Sequence, residues 1–360
     1  MNKPTDIIPI TSAELVLFCE DLGETLDFYT DRLGFQLLSI FPADDPAVAV
    51  VSGFGIRIRL EIGNTSANEN VVIRLRSDLS GIRESSFTDP NGVRFMLVEA
   101  NPPLVLPQLR SDLVIKRFDG KADWIKGRAG MRYRDLIPDR LGGYMIASHI
   151  HIPDAGPVPD YVHFHKVHFQ MIYCWKGWAK LVYEDQGDPF LFQEGDCVLQ
   201  PPEIRHRVLE SSGDLEVVEV SSPAEHETHR DHELKLPTPD NHPDRKFGGQ
   251  NFVHHRAQAA HWEDRIIAGS KAQDTRIKAA TNQIADVKIV RFDDGCEATG
   301  LVQDKKLLFV FVVNGNLSLS IDSGAPVQLS EGDSFVIPAE KHYAFSECSG
   351  GLEFLSVELI

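Results

Sequence analysis

Two histidines separated by one residue, His163 and His165, stand in the segment GPVPDYVHFHKVHFQMIYCWKG, Gly156 to Gly177. Side chains alternate between faces along an extended strand, so these two imidazoles project from one face. Two imidazoles on one face can grip one metal ion. Gln170 follows His165 by five residues and Gly177 comes seven residues later; Gly195, Pro201 and His206 lie further on. Tyr161 keeps the same alternation, so its phenol is expected to point inward with the two histidines. There it could hydrogen-bond a substrate oxygen or act as an acid or base; packing at a rim is the other use of a tyrosine in that place. His168 falls on the opposite face unless the strand bulges.

The elements that must position these residues are short β-like runs broken by Gly, Pro and Asp turns. They fill residues 111–236, and their regular spacing suggests a sandwich or barrel. Residues 249–360 repeat the style. EGDCVLQPPEIRH (Glu194 to His206) matches EGDSFVIPAEKH (Glu331 to His342), and a strand upstream ends in KG at Gly177 and in NG at Gly315. The interval to the EGD glycine is 18 residues in one block and 17 in the other. The two blocks read as an internal duplication. Residues 237–248 read as a surface linker, and His226, His229, His232 and His242 in and before it read as solvated polar residues.

The glycine, the HxH pair, the later glycine and the Gly-Pro-His series resemble the two motifs of the cupin superfamily. The resemblance implies a mainly β fold: two cupin barrels of jelly-roll type, a bicupin of about 250 residues. It also implies one divalent metal ion inside the first barrel, held by His163, His165, Gln170 and His206. Gln170 stands where most of the family carries Glu; its amide oxygen can coordinate but is neutral and a weaker ligand. Three imidazoles with open positions suit a catalytic site better than a closed structural one. Counting back from Gly315 puts Leu301, Gln303 and Leu308 at the corresponding places of the third block, where His342 alone persists, so that barrel is expected to serve packing or a dimer interface.

With Fe2+, the favoured ion, the implied activity is a non-haem dioxygenase acting on a small keto, enol or hydroxylated aromatic compound. Zn2+, Mn2+ or Ni2+ would instead suit a Lewis-acid isomerase, lyase or hydrolase. A non-catalytic small-molecule-binding cupin is the third reading. A homodimer is expected from the family's habit.

Residues 1–105 precede the barrels. A strand (ELVLFC), a helix from Leu22 to Leu33 and three further strands give the order βαβββ, making a small α+β module. FYTDRLGFQL with a later FTDPNGVRFMLVE resembles one module of the vicinal oxygen chelate family, the glyoxalase and bleomycin-resistance proteins. The family's metal-ligand positions fall here on Glu14 and Met96, and a thioether cannot replace a carboxylate for a hard metal. A role in packing or dimerisation is expected.

The chain has 360 residues, 42% hydrophobic and 25% charged, with a formal net charge of −17. Such a field repels phosphate backbones and anionic membranes, so nucleic-acid and membrane partners are set aside. The five cysteines (Cys19, Cys174, Cys197, Cys296 and Cys348) are scattered and form no CxxC pair, so no disulfide framework is expected. Cys174 and Cys197 read as buried, inert thiols. The opening MNKPTDIIPITS lacks the pattern of a signal peptide, and a reducing cytoplasm is the expected compartment. His149 and His151 form a second same-face pair that could approach the barrel mouth. One of Arg128, Arg132, Arg134 and Arg140 could clamp a carboxylate there.

Overall fold

The computed structural model describes residues 10–82, 84–120, 124–264, 267 and 269–360; most of the opening MNKPTDIIPITS lies outside the described residues. Contacts divide the chain into Met1–Pro103 and Leu104–Ile360.

In the first unit, a four-stranded sheet carries Leu15–Cys19, Ile56–Ile62, Val48–Gly53 and Gln36–Phe41 in that order. The helix Leu22–Asp27 begins at Asp21, whose side chain accepts from the Glu24 N–H at 2.9 Å. Helical residues continue to Arg32, and Gly34 follows at φ 81°, the left-handed region that glycine enters without strain. This much is the expected βαβββ order. A separate three-stranded sheet of Val72–Ser77, Arg94–Glu99 and Ser86–Thr88 completes the unit. Tyr29, Phe35, Phe95, Leu17 and Leu60 form its core.

The second unit holds two β-barrels of cupin type, each built from a seven-stranded sheet and a smaller one. In the first barrel the large sheet centres on Phe169–Lys176, Leu215–Ser222 and Ile146–Ile152. The smaller sheet contains Trp178–Tyr183, His206–Ser212 and His163–His165. In the second barrel the large sheet centres on Ala285–Phe292, Leu352–Leu359 and Leu307–Asn314, and the smaller one on His342–Ser346 and Asn316–Ile321.

The large sheets pack back to back, which explains their nearly continuous apolar sequences. Along Phe169–Lys176, Phe169, Met171, Tyr173 and Trp175 enter a core shared with Phe309, Phe311 and Val357 of the second barrel. Ile172 and Cys174 face the interior of their own barrel. Leu307–Asn314 divides the same way, with Leu307, Phe309 and Phe311 toward the other barrel and Leu308, Val310 and Val312 inward.

The barrels also exchange strands. Val114–Lys116, which opens the first barrel's block in sequence, pairs with Ser334 to Val336 of the second barrel. Val253–His255, from the second block, pairs with Cys197–Leu199 of the first. The stretch read as a linker contributes part of a two-residue hairpin, Lys246–Phe247 with Gln250–Asn251.

The cysteine reading needs one correction. Cys296 and Cys348 form a disulfide, their Cα atoms 5.0 Å apart despite a sequence separation of 52. Each sits in a loop beyond one end of the paired strands Ala285–Phe292 and Leu352–Leu359, whose register brings Phe292 opposite Leu352. Only this long-range pairing makes the two thiols neighbours. Cys19, Cys174 and Cys197 are free and buried.

Candidate metal centre

His163 and His165 occupy the short strand His163–His165, and His163 lies directly opposite His206 on the neighbouring strand. Ring centroids are 4.2 Å apart for His163 and His206, 5.1 Å for His163 and His165, and 5.3 Å for His165 and His206. One ligating nitrogen from each lies within 4.8 Å of the other two, and all three residues are buried.

The opposite edge of each ring is held. His163 Nδ1 donates to the Tyr161 carbonyl at 2.7 Å and His206 Nδ1 to the Ile204 carbonyl at 3.0 Å. His165 Nδ1 lies 2.9 Å from Thr228 Oγ1, on the strand paired beside it. A carbonyl can only accept, so His163 and His206 carry the proton on Nδ1 and turn a bare Nε2 lone pair inward. Burial pushes all three imidazoles below their ordinary values, with the neighbouring histidines and Arg128 adding to it; His165 falls to about 2. Three clustered neutral imidazoles, two of them with fixed tautomers, fit a divalent metal ion once Arg128, which donates to His163 Nε2, moves aside.

Gln170 is buried beside this triad, 1% exposed. Its Oε1 accepts from Gln200 Nε2 at 3.0 Å, which directs the amide oxygen to Gln200. Gln200 also accepts from Tyr183 Oη at 2.5 Å, and its Nε2 stands 3.4 Å from His206 Nε2. Tyr183 stacks on His206 at 5.4 Å and is held neutral, its phenol pushed far up by burial. The triad, Tyr183 and Gln200 share the wall of one cavity of about 70 Å³, and Gln170 lies behind Gln200, outside its lining. Its other lining is mainly apolar and includes Ile150, Ile172, Leu181 and Val217.

Charged groups enter this chamber from distant parts of the chain. Arg128 Nη2 lies 2.7 Å from His163 Nε2, and its Nη1 donates to Asp160 Oδ1 at 2.7 Å. The second Asp160 oxygen accepts from the Val208 N–H. Glu219 lies on the inward face of Leu215–Ser222, opposite Ile172 and one step diagonal to Gln170. Burial raises its carboxyl, against the opposing charges of His226 and Arg128.

Other residues singled out by sequence lie elsewhere. Tyr161 contributes its backbone carbonyl to His163, while its ring lies under the Arg230 guanidinium, 4.6 Å away, and is absent from the chamber lining. The strand begins only at His163, so alternation does not carry back to residue 161. His168 lines a separate small cavity with Lys306. His149 faces the space between the barrels, 2.6 Å from Glu216 Oε2 and among Trp124, Trp175 and Phe311. His151 lies 3.1 Å from Asp214 Oδ1. Of the four arginines, Arg128 alone lines the chamber; Arg134 is buried against Phe118 and bonds the Gly332 carbonyl, and Arg140 approaches Asp135. Glu14 lies 3.9 Å from Arg57.

The second barrel departs further than the sequence suggests. Tyr183 and Ile321 both lie six residues after their strand-end glycine. Tyr183 pairs with His206, but Ile321 pairs with Tyr343. Tyr343 therefore stands at the place of His206, while His342 is exposed. Leu301, Leu308 and Tyr343 line the cavity of that barrel, with no histidine among its lining residues.

Arg128, Gln200 and Glu219 carry much of the chamber's chemistry. Only Arg128 had a signal, as one of an arginine-rich run. Glu219 is one of two carboxylates on the apolar strand LEVVEV, and only the folded barrel separates it, facing the chamber, from Glu216, which meets His149.

Residues 11–63 match the family model described as Glyoxalase/Bleomycin resistance protein/Dioxygenase superfamily. No curated protein matches the sequence. Among solved structures, the chain is similar to a salicylate 1,2-dioxygenase from Pseudaminobacter salicylatoxidans. The identity is 15%, with 71% of this chain and 86% of that one covered and a TM-score of 0.53. A variant of the same enzyme in complex with gentisate gives 16%, 71%, 83% and 0.51 for the same four measures. The putative glyoxylate induced protein from Pseudomonas aeruginosa gives 14%, 72%, 93% and 0.51. At these identities the likeness is one of fold. No helix among the described residues is long and apolar enough to cross a membrane.

Proposed function

We propose that the first barrel is the metal-dependent active site of a dioxygenase-type cupin, with Fe2+ as the metal and a small keto, enol or hydroxylated aromatic compound as substrate. The observation that carries this reading is the set of three buried, neutral imidazoles whose ligating nitrogens lie within 4.8 Å of one another on the wall of a mainly apolar chamber. His163, His165 and His206 would hold the ion. When bound, iron supplies Lewis acidity toward a chelating enolate or phenolate and a redox path to O2. The fold likeness to a salicylate dioxygenase supports the class of chemistry without fixing the substrate.

The chain's own groups then have distinct tasks. Gln200 holds Gln170 and Tyr183 in place, and with Gln170's oxygen so engaged the donor set reduces to three imidazoles. Arg128, tethered to Asp160, offers a cation to an anionic substrate group. Glu219, its carboxyl raised by burial, can give or take a proton inside the chamber. Tyr161 fits this role less well, because its ring carries Arg230.

A cavity of about 70 Å³ is small beside the usual range of about 300–1,000 Å³ for ligand sites. It favours a compact keto or enol compound; a single-ring acid would need Arg128 to swing off His163. The reading includes a homodimer, which sedimentation velocity would test. The test of activity is O2 uptake by anaerobically iron-loaded protein against 1,3-dicarbonyls, α-keto acids and hydroxybenzoates. Turnover-linked uptake with one class is expected, and none with any class would remove the dioxygenase reading. A second reading rests on the missing carboxylate. Three histidines alone also suit zinc, and hydrolysis, lyase or isomerase activity of zinc-loaded protein without O2 would favour it.

A further inference from the structure

The first unit contains a groove whose chemistry is opposite to that of the molecule as a whole. We propose that it binds a small amphipathic carboxylate, an aryl or alkyl acid, independently of the barrel site.

The groove has a volume of about 630 Å³, within the range of small-ligand pockets. Three arginines line it, Arg32, Arg74 and Arg76, and no Asp or Glu does. Among the described residues none of the three has a carboxylate within 4.0 Å, whereas Arg57 and Arg59 of the same unit are both paired. In a chain of net charge −17, three guanidinium groups without a carboxylate partner around one groove are a local inversion of the field.

The arrangement is built from structure rather than from loose surface chain. Arg74 and Arg76 are two apart on the strand Val72–Ser77, so they share a face. That strand is the edge of its sheet, bonded on one side to Arg94–Glu99. Arg32 lies over two rings, 5.2 Å from the Phe28 centroid and 5.0 Å from that of Phe87, which limits its movement. Leu33, Phe54 and Phe87 add apolar wall, and Phe54 is 68% exposed at the tip of its hairpin. A guanidinium matches a carboxylate through two parallel hydrogen bonds. An apolar body on the same ligand would cover the exposed ring. A cation would meet three like charges, and a neutral apolar compound would leave the arginines unused.

The experiment uses the full chain and two probes that share a body and differ in charge, 4-phenylbutyrate and 4-phenylbutylamine. Calorimetric titration should show saturable binding of the acid that weakens with added salt, and none of the amine. The double variant Arg74→Gln, Arg76→Gln, with both changes on exposed side chains, should keep its circular dichroism and lose at least ten-fold in affinity. Equal binding of the amine, undiminished binding by the variant, or no saturable binding of the acid would each overturn the proposal. So would loss of binding on Arg128→Gln with the Arg74/Arg76 variant unaffected, because the anion would then sit in the barrel. A change of the variant from dimer to monomer, with no effect of the acid on the parent, would make the groove an interface between copies and also overturn it.

Discussion

At the scale of single residues, Gln200 links Gln170 to the three histidines through His206. Gln200 joins Tyr183, Gln170 and His206 in one buried network. Gln200→Leu would leave the Tyr183 hydroxyl and the Gln170 oxygen without partners. About 1–3 kcal/mol of stability should be lost, measurable by urea denaturation, and an unchanged midpoint would deny the network its role. Gln170→Glu should act in opposite directions in the two states. Without metal, a buried carboxylate beside an amide is costly and the melting temperature should fall. With metal, an anionic oxygen near the imidazoles should raise the melting temperature more than metal raises that of the parent protein. Equal responses of parent and variant to metal would place Gln170 outside the ion's reach. The histidines were legible because HxH alternation is local and His206 follows a Gly-Pro turn. Gln200 and Glu219 were not, and Arg128 was legible only as one of four arginines, because each comes from another strand or loop and meets the triad only after the barrel closes.

At the scale of elements, each central strand of the second unit serves two cores. Trp175 enters the shared core between the barrels, where Phe311 meets it edge-on at 4.9 Å and Val313 accepts its indole N–H at 3.1 Å. Phe311→Ala should therefore cost about 3–5 kcal/mol, as for a large aromatic removed from a close-packed core. A loss below about 1 kcal/mol in chemical denaturation would contradict the shared core. Short strands, turns and the duplication could be read from alternation and from the repeated EGD turns. The register within the second barrel could not: alignment by sequence selects His342, whereas hydrogen bonding puts Tyr343 at that place. A one-residue shift reverses every side chain in a strand, and local sequence does not reveal it. The Cys296–Cys348 disulfide was hidden for the same reason.

At the scale of the whole second unit, strand exchange makes the barrels interdependent. A chain ended at residue 236 would lack Val253–His255, leaving the Cys197–Leu199 edge open, and would expose the apolar face of the large sheet. It should aggregate or remain unfolded, whereas residues 104–360 should fold; a soluble, cooperatively melting fragment would refute this. Buried between the barrels, His149 is pushed below its ordinary pKa by burial, against the pull of Glu216. For a base depressed in the folded state, both states are neutral above about pH 6.5 and the group has no effect there. Below that pH the unfolded chain takes up a proton that the folded chain refuses, so stability falls. His149→Gln should make the decline in melting temperature between about pH 7 and 5.5 shallower; an unchanged slope would count against a neutral, buried His149.

The central claim is that His163, His165 and His206 hold one metal ion. The direct measurement is metal content by plasma mass spectrometry after anaerobic loading with Fe2+ and desalting, for the parent protein and a His163→Ala, His206→Ala variant shown to be folded. The account predicts about one iron per chain in the parent and almost none in the variant. Equal metal in both, or none in the parent with any of Fe2+, Zn2+, Mn2+ and Ni2+, would contradict it.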